Sequence, residues 1–288
     1  MTSWRAPDPW LSLMLLLTVG PVLAALVFML LYGFGGIGLL STGWTLRYWT
    51  AVLGNRETWV SLGYSFALGL VSLALALMLA LALQAALGNR VRRGLLRTLL
   101  FVPLAVPGLV AALLTVELFG NTGLLARLAH ALGWISGPGQ FPTVLFTPSG
   151  SGIVLAYVLL VAPFLLLLLD RLAQHERTEE LARVAHTLGA THWQAWRWVT
   201  LPVLLRAGTP TLSVYYIVLV GGFEIPLLLG AQYPQMISVL VQRHFSEFDL
   251  TSRPQAYVIA SLYAMLAMAV LMGLFAWRRR REDAEGVS

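Results

Sequence analysis

The segment EELARVAHTLGATHWQAWRWVTLP, residues 179–202, is a polar, Arg- and His-bearing stretch in a chain whose other long segments are apolar. Apolar residues recur at helical spacing in its first half: Leu181, Val184, Ala185 and Leu188. Gly189 is the expected left-handed stop of that helix. Thr191 and Gln194 then have the spacing of a capping box, which predicts the start of a second helix.

The second helix carries Trp193 and Trp196 on one side, and it is expected to end before Pro202, because proline cannot continue a helix. The apolar and tryptophan side chains are expected to pack the two helices into a rigid hairpin. An amphipathic hairpin of this kind on a membrane surface is suited to contact another protein. The alternative is an ordinary connector between two spans.

Composition indicates a membrane protein. Of 288 residues, 58% are hydrophobic and 11% are charged, whereas soluble proteins carry about a quarter charged residues. The chain has no cysteine, which excludes disulfides, Cys-ligated zinc and thiol catalysis. The net charge is +6 and every basic residue is arginine. Without lysine the chain cannot form a Walker A loop, so any ATP hydrolysis must occur in another chain. The arginines lie beside apolar spans, which favours lipid head groups over nucleic acid as partners.

The apolar runs predict an all-α membrane protein with six transmembrane helices. Each run is about as long as a bilayer crossing requires: 10–31, 60–87, 98–118, 152–169, 209–230 and 256–277. The first run is longer than the apolar core of a signal peptide, about 7–15 residues, and no convincing cleavage site follows, so an uncleaved span is predicted.

Arginine clusters predict the orientation of these spans. They mark the inner side of the membrane in three segments: Asn89–Arg97, 171–208 and Arg278–Arg281. Both termini are therefore expected in the cytoplasm. We divide the chain into an N-terminal span with an outside loop, a core that contains segment 171–208, and a basic cytoplasmic tail; their bounds are 1–59, 60–277 and 278–288.

Glu224 is the main candidate for the solute pathway. It lies in GGFEIPLLLG within the fifth run, where an ionisable residue costs at least about 2.5 kcal/mol unless it faces protein or water. Gly222 and Pro226 surround it, so we expect a loosened or kinked helix. Glu224 either lines the pathway or a gate, or is a structural acid paired with a neighbouring helix. Glu117 is a second candidate, for which a solvated helix end is the alternative.

The histidines invite a metal interpretation. The residues to weigh are His175, Glu176, Glu179, His186 and His192. No known metal motif matches them, so neither a metal nor a cofactor is predicted. His244 lies in an outside loop and is expected to be solvated. No catalytic arrangement stands out, and a non-enzymatic subunit is expected.

The spacing from Gly189 to Pro202 carries a resemblance. Gly189, nine residues, Val199, one residue and Leu201-Pro202 resemble the cytoplasmic "EAA" loop of importer-type ABC permeases, although Arg183-Val184-Ala185 stand where that loop has Glu-Ala-Ala. The resemblance implies a type I importer permease in the bacterial inner membrane, with the loop docked on an ATPase subunit through Glu179, Glu180, Arg183, Val184, Ala185, His186, Leu188, Gly189, Trp193, Trp196, Leu201 and Pro202. Glu179 or Glu180 is the expected substitute for the missing glutamate.

Three further stretches resemble the spermidine/putrescine branch of these permeases: FGNTGLLARLAHALG at 119–133, LFTPSG at 145–150 and FEIPLLLG at 223–230. This implies a polyamine cargo, with ferric ion, thiamine, sulfate and aminophosphonate carried by related importers. It also implies a second permease subunit, identical or different, and a periplasmic or lipid-anchored binding protein that meets outside loops such as 231–253. The rival classes are an ion-coupled secondary transporter and an intramembrane enzyme.

Overall fold

The structure, a computed structural model, describes residues 9–38, 41, 43–88, 91 and 94–284. These residues form helices joined by turns, with no strand among them. The α-helices of this part of the chain are, in order, α1 Pro9–Gly33, α2 Arg47–Gly54, α3 Arg56–Leu87, α4 Gly94–Phe101, α5 Gly108–Phe119, α6 Leu124–Ala131, α7 Ser151–His175, α8 Thr178–Thr187, α9 His192–Ala195, α10 Leu201–Val220, α11 Glu224–Leu229, α12 Ile237–Ser246 and α13 Ser252–Ala284.

Six helical segments are long and apolar enough to cross a membrane, which confirms the predicted all-α, six-span architecture. They are Leu13–Gly33, Arg56–Leu87, Gly108–Ala131, Ser151–His175, His192–Val220 and Ser252–Arg280. The cytoplasmic position of both termini stays a prediction. Arg90, Arg92 and Arg93, on which that prediction partly depends, lie outside the described residues.

The third apolar run is divided in two. Helix α4 ends at Phe101, a 3₁₀ turn covers Pro103–Ala105, and α5 begins at Gly108 after Pro107. Each proline lacks the backbone N–H that a continuous helix requires. The segment that is long and apolar enough to cross a membrane therefore begins at Gly108 and not at residue 98.

The fifth apolar run is also interrupted, at the place where the glycines predict it. Helix α10 begins at Leu201, eight residues before the expected start, and ends at Val220. The helical hydrogen bonding stops at Gly221–Phe223 and resumes in the short helix α11 at Glu224. The expected kink is thus a complete break.

Helix α7 is the centre of one compact unit, formed by Ser61–Val239 with the described residues of Ala269–Ser288. Leu165, Leu166 and Leu169 of α7 are at most 2% exposed. Alanines such as Ala76 and Ala80 on α3 are fully buried, because small side chains allow transmembrane helices to approach closely.

The second unit consists of the described residues of Met1–Val60 together with Leu240–Met268. Within it the rings of Tyr32 and Tyr257 lie 4.4 Å apart. The Arg243 guanidinium donates a 2.8 Å hydrogen bond to the Glu57 carboxylate, which raises the pKa of Arg243. The expectation that His244 is solvated is wrong: its side chain is 8% exposed, because α12 turns that face inward, and its Nδ1 lies 3.0 Å from the Leu240 carbonyl.

Candidate functional site

Helix α8 ends in the glycine turn that the sequence predicts. Gly189 has a φ of +91°. Its N–H donates to the His186 carbonyl at 3.0 Å, and the Ala190 N–H donates to the Ala185 carbonyl at 3.0 Å. These paired bonds form a Schellman motif. No described atom lies within 4 Å of the position that a Cβ on Gly189 would occupy. The glycine is therefore required by its backbone conformation and not by close packing.

The predicted capping box at Thr191 and Gln194 is confirmed. The Thr191 amide donates to the Gln194 side-chain oxygen at 2.8 Å, and the Gln194 amide donates to the Thr191 hydroxyl at 3.3 Å. One turn further on, the rings of Trp193 and Trp196 stack with centroids 5.2 Å apart and 16° between their planes. The first helix of the hairpin thus ends in a turn held by two hydrogen bonds, and the second helix begins with a capping box that also has two hydrogen bonds.

The expectation that the second helix ends before Pro202 is wrong. Helix α9 continues through a π-helical segment, Trp196–Thr200, into α10, so that His192–Val220 is one helical run of 29 residues. The Leu201 amide donates to the Trp196 carbonyl, five residues back. The wider turn changes the hydrogen-bond register just before Pro202, which then occupies the first turn of α10, where its missing N–H is tolerated.

The apolar face of α8 is exposed, so its expected role in packing the hairpin is wrong. Leu181, Val184 and Leu188 are 43%, 58% and 83% exposed, and Trp193 is 60% exposed. The sequence spacing places Leu181, Val184 and Leu188 on one side of α8, whereas the buried residue of the second half of the hairpin is the small Ala195, which is 1% exposed. A large apolar surface therefore faces outward on a short polar segment.

A cavity of about 440 Å³ lies beside the hairpin. Glu179, Arg183, His186 and His192 line it, together with Asp170 at the end of α7. The imidazole rings of His186 and His192 are parallel with centroids 5.7 Å apart. Of the residues weighed for a metal, His175 and Glu176 do not line this cavity.

Glu180, the other acidic residue at the start of α8, is directed elsewhere. Its carboxylate lies 3.9 Å from the guanidinium of Arg177, and both side chains are more than half exposed. An exposed pair of this kind contributes little to stability. Arg183, which stands where the family loop has glutamate, donates from Nε to the Glu179 carbonyl at 3.4 Å.

Glu224 connects the two interrupted runs. Its carboxylate Oε2 accepts a hydrogen bond of 2.8 Å from the backbone N–H of Leu109. The first N–H groups of a helix lack partners within it, and Pro107, which precedes α5, offers no side-chain acceptor. Glu224 therefore caps α5 from another helix. A Cβ on Gly108 would lie 2.5 Å from Oε2, so an added methyl group would displace the carboxylate from this position.

Beside this contact lies a second cavity of about 330 Å³. Glu224 and Gly222 line it, whereas Pro226 is buried in α11 and Glu117 is exposed further along α5. Of the four residues predicted to line the pathway, Gly222 and Glu224 therefore lie at one cavity, and Pro226 and Glu117 do not. A side chain on Gly222 would collide with the Tyr157 hydroxyl.

Sequence reasoning missed the aromatic wall of this cavity and the partner of Glu224. Tyr157, Phe164 and Tyr215 line the cavity, and the rings of Phe164 and Tyr215 stack at 4.3 Å. Nothing in their local sequence distinguishes them from other aromatic residues of apolar spans. Gly108, directly after Pro107, was the one available signal for a close backbone approach.

The six apolar helices, the two interrupted spans that meet at a cavity and the exposed amphipathic hairpin define a multi-pass membrane protein of the kind that conducts solutes. Residues 72–283 match the family described as "Binding-protein-dependent transport system inner membrane component". The chain belongs to this family, and it is a multi-pass protein of the inner membrane.

Curated relatives are similar over much of the chain. The thiamine transport system permease protein ThiP of Escherichia coli is 28% identical over 242 residues, 82% of this chain and 42% of the relative. The probable sulfate transport system permease protein cysT of Chlorella vulgaris is 25% identical over 59% of this chain and 60% of its own length. The molybdenum transport system permease protein ModB of Azotobacter vinelandii is 26% identical over 65% of this chain and 78% of its own length. The chain thus spans about two fifths of the ThiP protein and three fifths of cysT.

A solved bacterial ABC transporter involved in the import of the acidic polysaccharide alginate has a similar fold. Its matching chain superposes with a TM-score of 0.66 over 94% of this chain and 93% of its own length, at 16% identity. A second solved structure, of a bacterial alginate ABC transporter in complex with an alginate pentasaccharide-bound periplasmic protein, gives a TM-score of 0.65 at 18% identity. At this identity the likeness establishes the fold.

Proposed function

We propose that this chain is the non-catalytic transmembrane subunit of an ATP-driven ABC importer, and that the hairpin 179–202 docks on a separate ATPase subunit. The observation that carries the proposal is the exposed apolar face of α8 formed by Leu181, Val184 and Leu188. Such a face on a polar segment fits a protein groove, as in helix-in-groove recognition. The absence of lysine, and with it of a Walker A loop, requires that ATP be hydrolysed elsewhere.

The structure offers a path by which the hairpin can act on the solute route. The Schellman turn and the capping box fix α8 to the start of the second helix. From His192 the helix continues without interruption to Val220. It then stops at the break before Glu224, beside the 330 Å³ cavity. A displacement of α8 by the ATPase would therefore move the whole helical run His192–Val220, whose C-terminal end lies at that cavity.

The proposed partners follow from the same assignment. They are an ABC ATPase subunit at the hairpin, a second permease subunit or a second copy of this chain, a periplasmic or lipid-anchored solute-binding protein, and membrane lipid; nucleic acid is not among them. The alginate transporter supports the binding-protein partner, because that permease fold has been solved with a periplasmic protein.

We propose a small solute as the cargo. The relatives' names favour thiamine, sulfate or molybdenum over the polyamine that the stretches at 119–133, 145–150 and 223–230 suggest. Ferric ion and aminophosphonate, which the same resemblance includes, have no support among these relatives.

Co-purification tests the docking role. The tagged full-length chain is purified from its native membranes, and ABC ATPase chains are identified by mass spectrometry together with ATPase activity. Leu188→Glu, which places a charge on the exposed face of α8, should abolish recovery of the ATPase. Phe248→Glu is the matched control, since Phe248 is a fully exposed apolar residue outside the hairpin. Recovery of the ATPase with the Leu188→Glu chain, or solute pumping by the purified chain alone, would contradict the proposal.

A further inference from the structure

We infer that the cavity beside Glu224 binds an organic cation with a flat, aromatic or apolar body, and that it disfavours oxyanions. The inference rests on the proposed function in one respect, because it takes this cavity to lie on the solute route. Its basis is the charge, the ring geometry and the size of the cavity itself.

The cavity has a negative formal charge. Glu224 is the one ionisable carboxylate among the residues that line it, and within the described part of the chain neither arginine nor histidine lines it. An oxyanion would need a positive charge or free backbone N–H groups, such as those at a helix N-terminus. The N-terminus of α5 faces this cavity through Gly108, but Glu224 already occupies it through the 2.8 Å bond to Leu109. The position most favourable to an anion is therefore taken by an anion of the protein.

The walls of the cavity favour a cation with a flat body. Four aromatic residues line it: Tyr157, Phe164, Tyr215 and Phe223. The rings of Phe164 and Tyr215 are 4.3 Å apart and within 19° of parallel, so they stack on one another and form a rigid aromatic pair in the wall. Aromatic faces attract cations, and this attraction strengthens where water is excluded. A carboxylate together with such a surface suits a ring-bearing cation better than a small metal ion or a linear polyamine.

The size of the cavity agrees with this assignment. Its volume of about 330 Å³ lies at the lower end of the range for small-molecule pockets, about 300–1,000 Å³. Gly108 and Gly222, which belong to the two interrupted spans, line it. The cavity would therefore change shape if either break moved, which is what a transient site on a transport route requires.

Equilibrium binding of radiolabelled thiamine, an aromatic cation, to the full chain in lipid nanodiscs tests the inference. Spermidine, a ring-free polycation, and sulfate, an oxyanion, serve as comparison probes. Glu224→Gln removes the charge but keeps an oxygen that can accept the hydrogen bond from Leu109. We expect thiamine to bind in preference to both other probes, with affinity at least tenfold weaker in Glu224→Gln and measurably weaker in Phe164→Leu. Glu176→Gln removes a carboxylate that lines neither cavity and should bind thiamine as the unmodified chain does.

Several outcomes would overturn the inference: sulfate binding better than thiamine, spermidine binding as tightly as thiamine, thiamine binding that is unchanged in both Glu224→Gln and Phe164→Leu, or no binding of thiamine to a chain whose thermal unfolding is normal. The Phe164→Leu variant keeps the test decisive if Glu224→Gln fails to fold. Failure here is separable from failure of the proposed function. If the ATPase co-purifies while thiamine does not bind, the importer assignment stands and the inference about the cavity is wrong. If thiamine binds but no ATPase is recovered, the inference about the cavity stands and the docking of an ATPase is contradicted.

Discussion

Substitution of Gly189 tests whether the turn between the two hairpin helices is needed to couple the proposed ATPase subunit to this chain. At a φ of +91° an L-residue costs about 1–2 kcal/mol, and an added Cβ meets no described atom within 4 Å. The cost of Gly189→Ala is therefore conformational, and it shifts the balance between the formed and the opened turn by about 5–30-fold. Asparagine tolerates the left-handed region and should cost less.

Proline at this position is more severe than alanine. Its ring fixes φ near −65° and removes the backbone N–H, so that the 3.0 Å bond to the His186 carbonyl is also lost. We expect solute-stimulated ATPase activity of the purified transporter complex to fall in the order Asn, Ala, Pro. Membrane insertion should be unchanged, because Gly189 lies between apolar spans and within none of them.

Gly43 provides a matched control for Gly189. It also has a φ of +91°, with open space around its Cβ position, but it lies in the other compact unit and far from the hairpin in sequence. Gly43→Ala should carry the same local cost and leave the stimulated ATPase activity unchanged. Unchanged stimulation in Gly189→Pro, or equal loss in both alanine variants, would refute the reasoning.

Three further results are expected. Glu224→Ala should lower the free energy of unfolding in detergent by about 0.5–2 kcal/mol, the usual cost of a lost helix cap, because the Leu109 N–H loses a charged acceptor, and Glu224→Gln should cost clearly less; equal losses would contradict the capping role. Gly108→Ala should give a similar destabilisation with the carboxylate still present, since its Cβ would lie 2.5 Å from Oε2; a normal melting temperature would count against the close approach. Hydrogen bonds from Thr251 hold the pKa of Asp249 below its usual range, so this carboxylate stabilises its turn above its unfolded-state pKa and the effect is lost as pH falls through the lower folded-state value. The protection of amides in that turn, measured relative to their intrinsic exchange rate at each pH, should fall with acid in the unmodified chain but not in Asp249→Asn, and identical pH profiles of protection would exclude this cause.

Local features of the hairpin were predictable because they depend on residues close in sequence. The glycine stop at Gly189 and the capping box of Thr191 and Gln194 join groups no more than five residues apart. Residue type alone sets the required φ and supplies the side-chain acceptor. The break before Glu224 is also a local feature, because Gly221 and Gly222 weaken the helix there.

Features that involve a choice between local alternatives were less predictable. Pro202 predicts the end of a helix, yet a π-helical turn before it allows the helix to continue. Leu181, Val184 and Leu188 read as a packed face, yet they are exposed. Periodicity shows that a face is apolar but not which surface, if any, covers it within the chain.

Composition and local spacing were enough to establish six apolar helices, the interruption of the fifth, and a capped hairpin between the fourth and fifth, because each follows from backbone chemistry within a few residues. Packing alone brought Glu224 to the N-terminus of α5, across 115 positions of sequence, and placed Phe164 beside Tyr215 in the wall of one cavity. Such contacts depend on how separate helices are shifted and rotated against one another, and that information is spread over all their side chains and not held in any one motif.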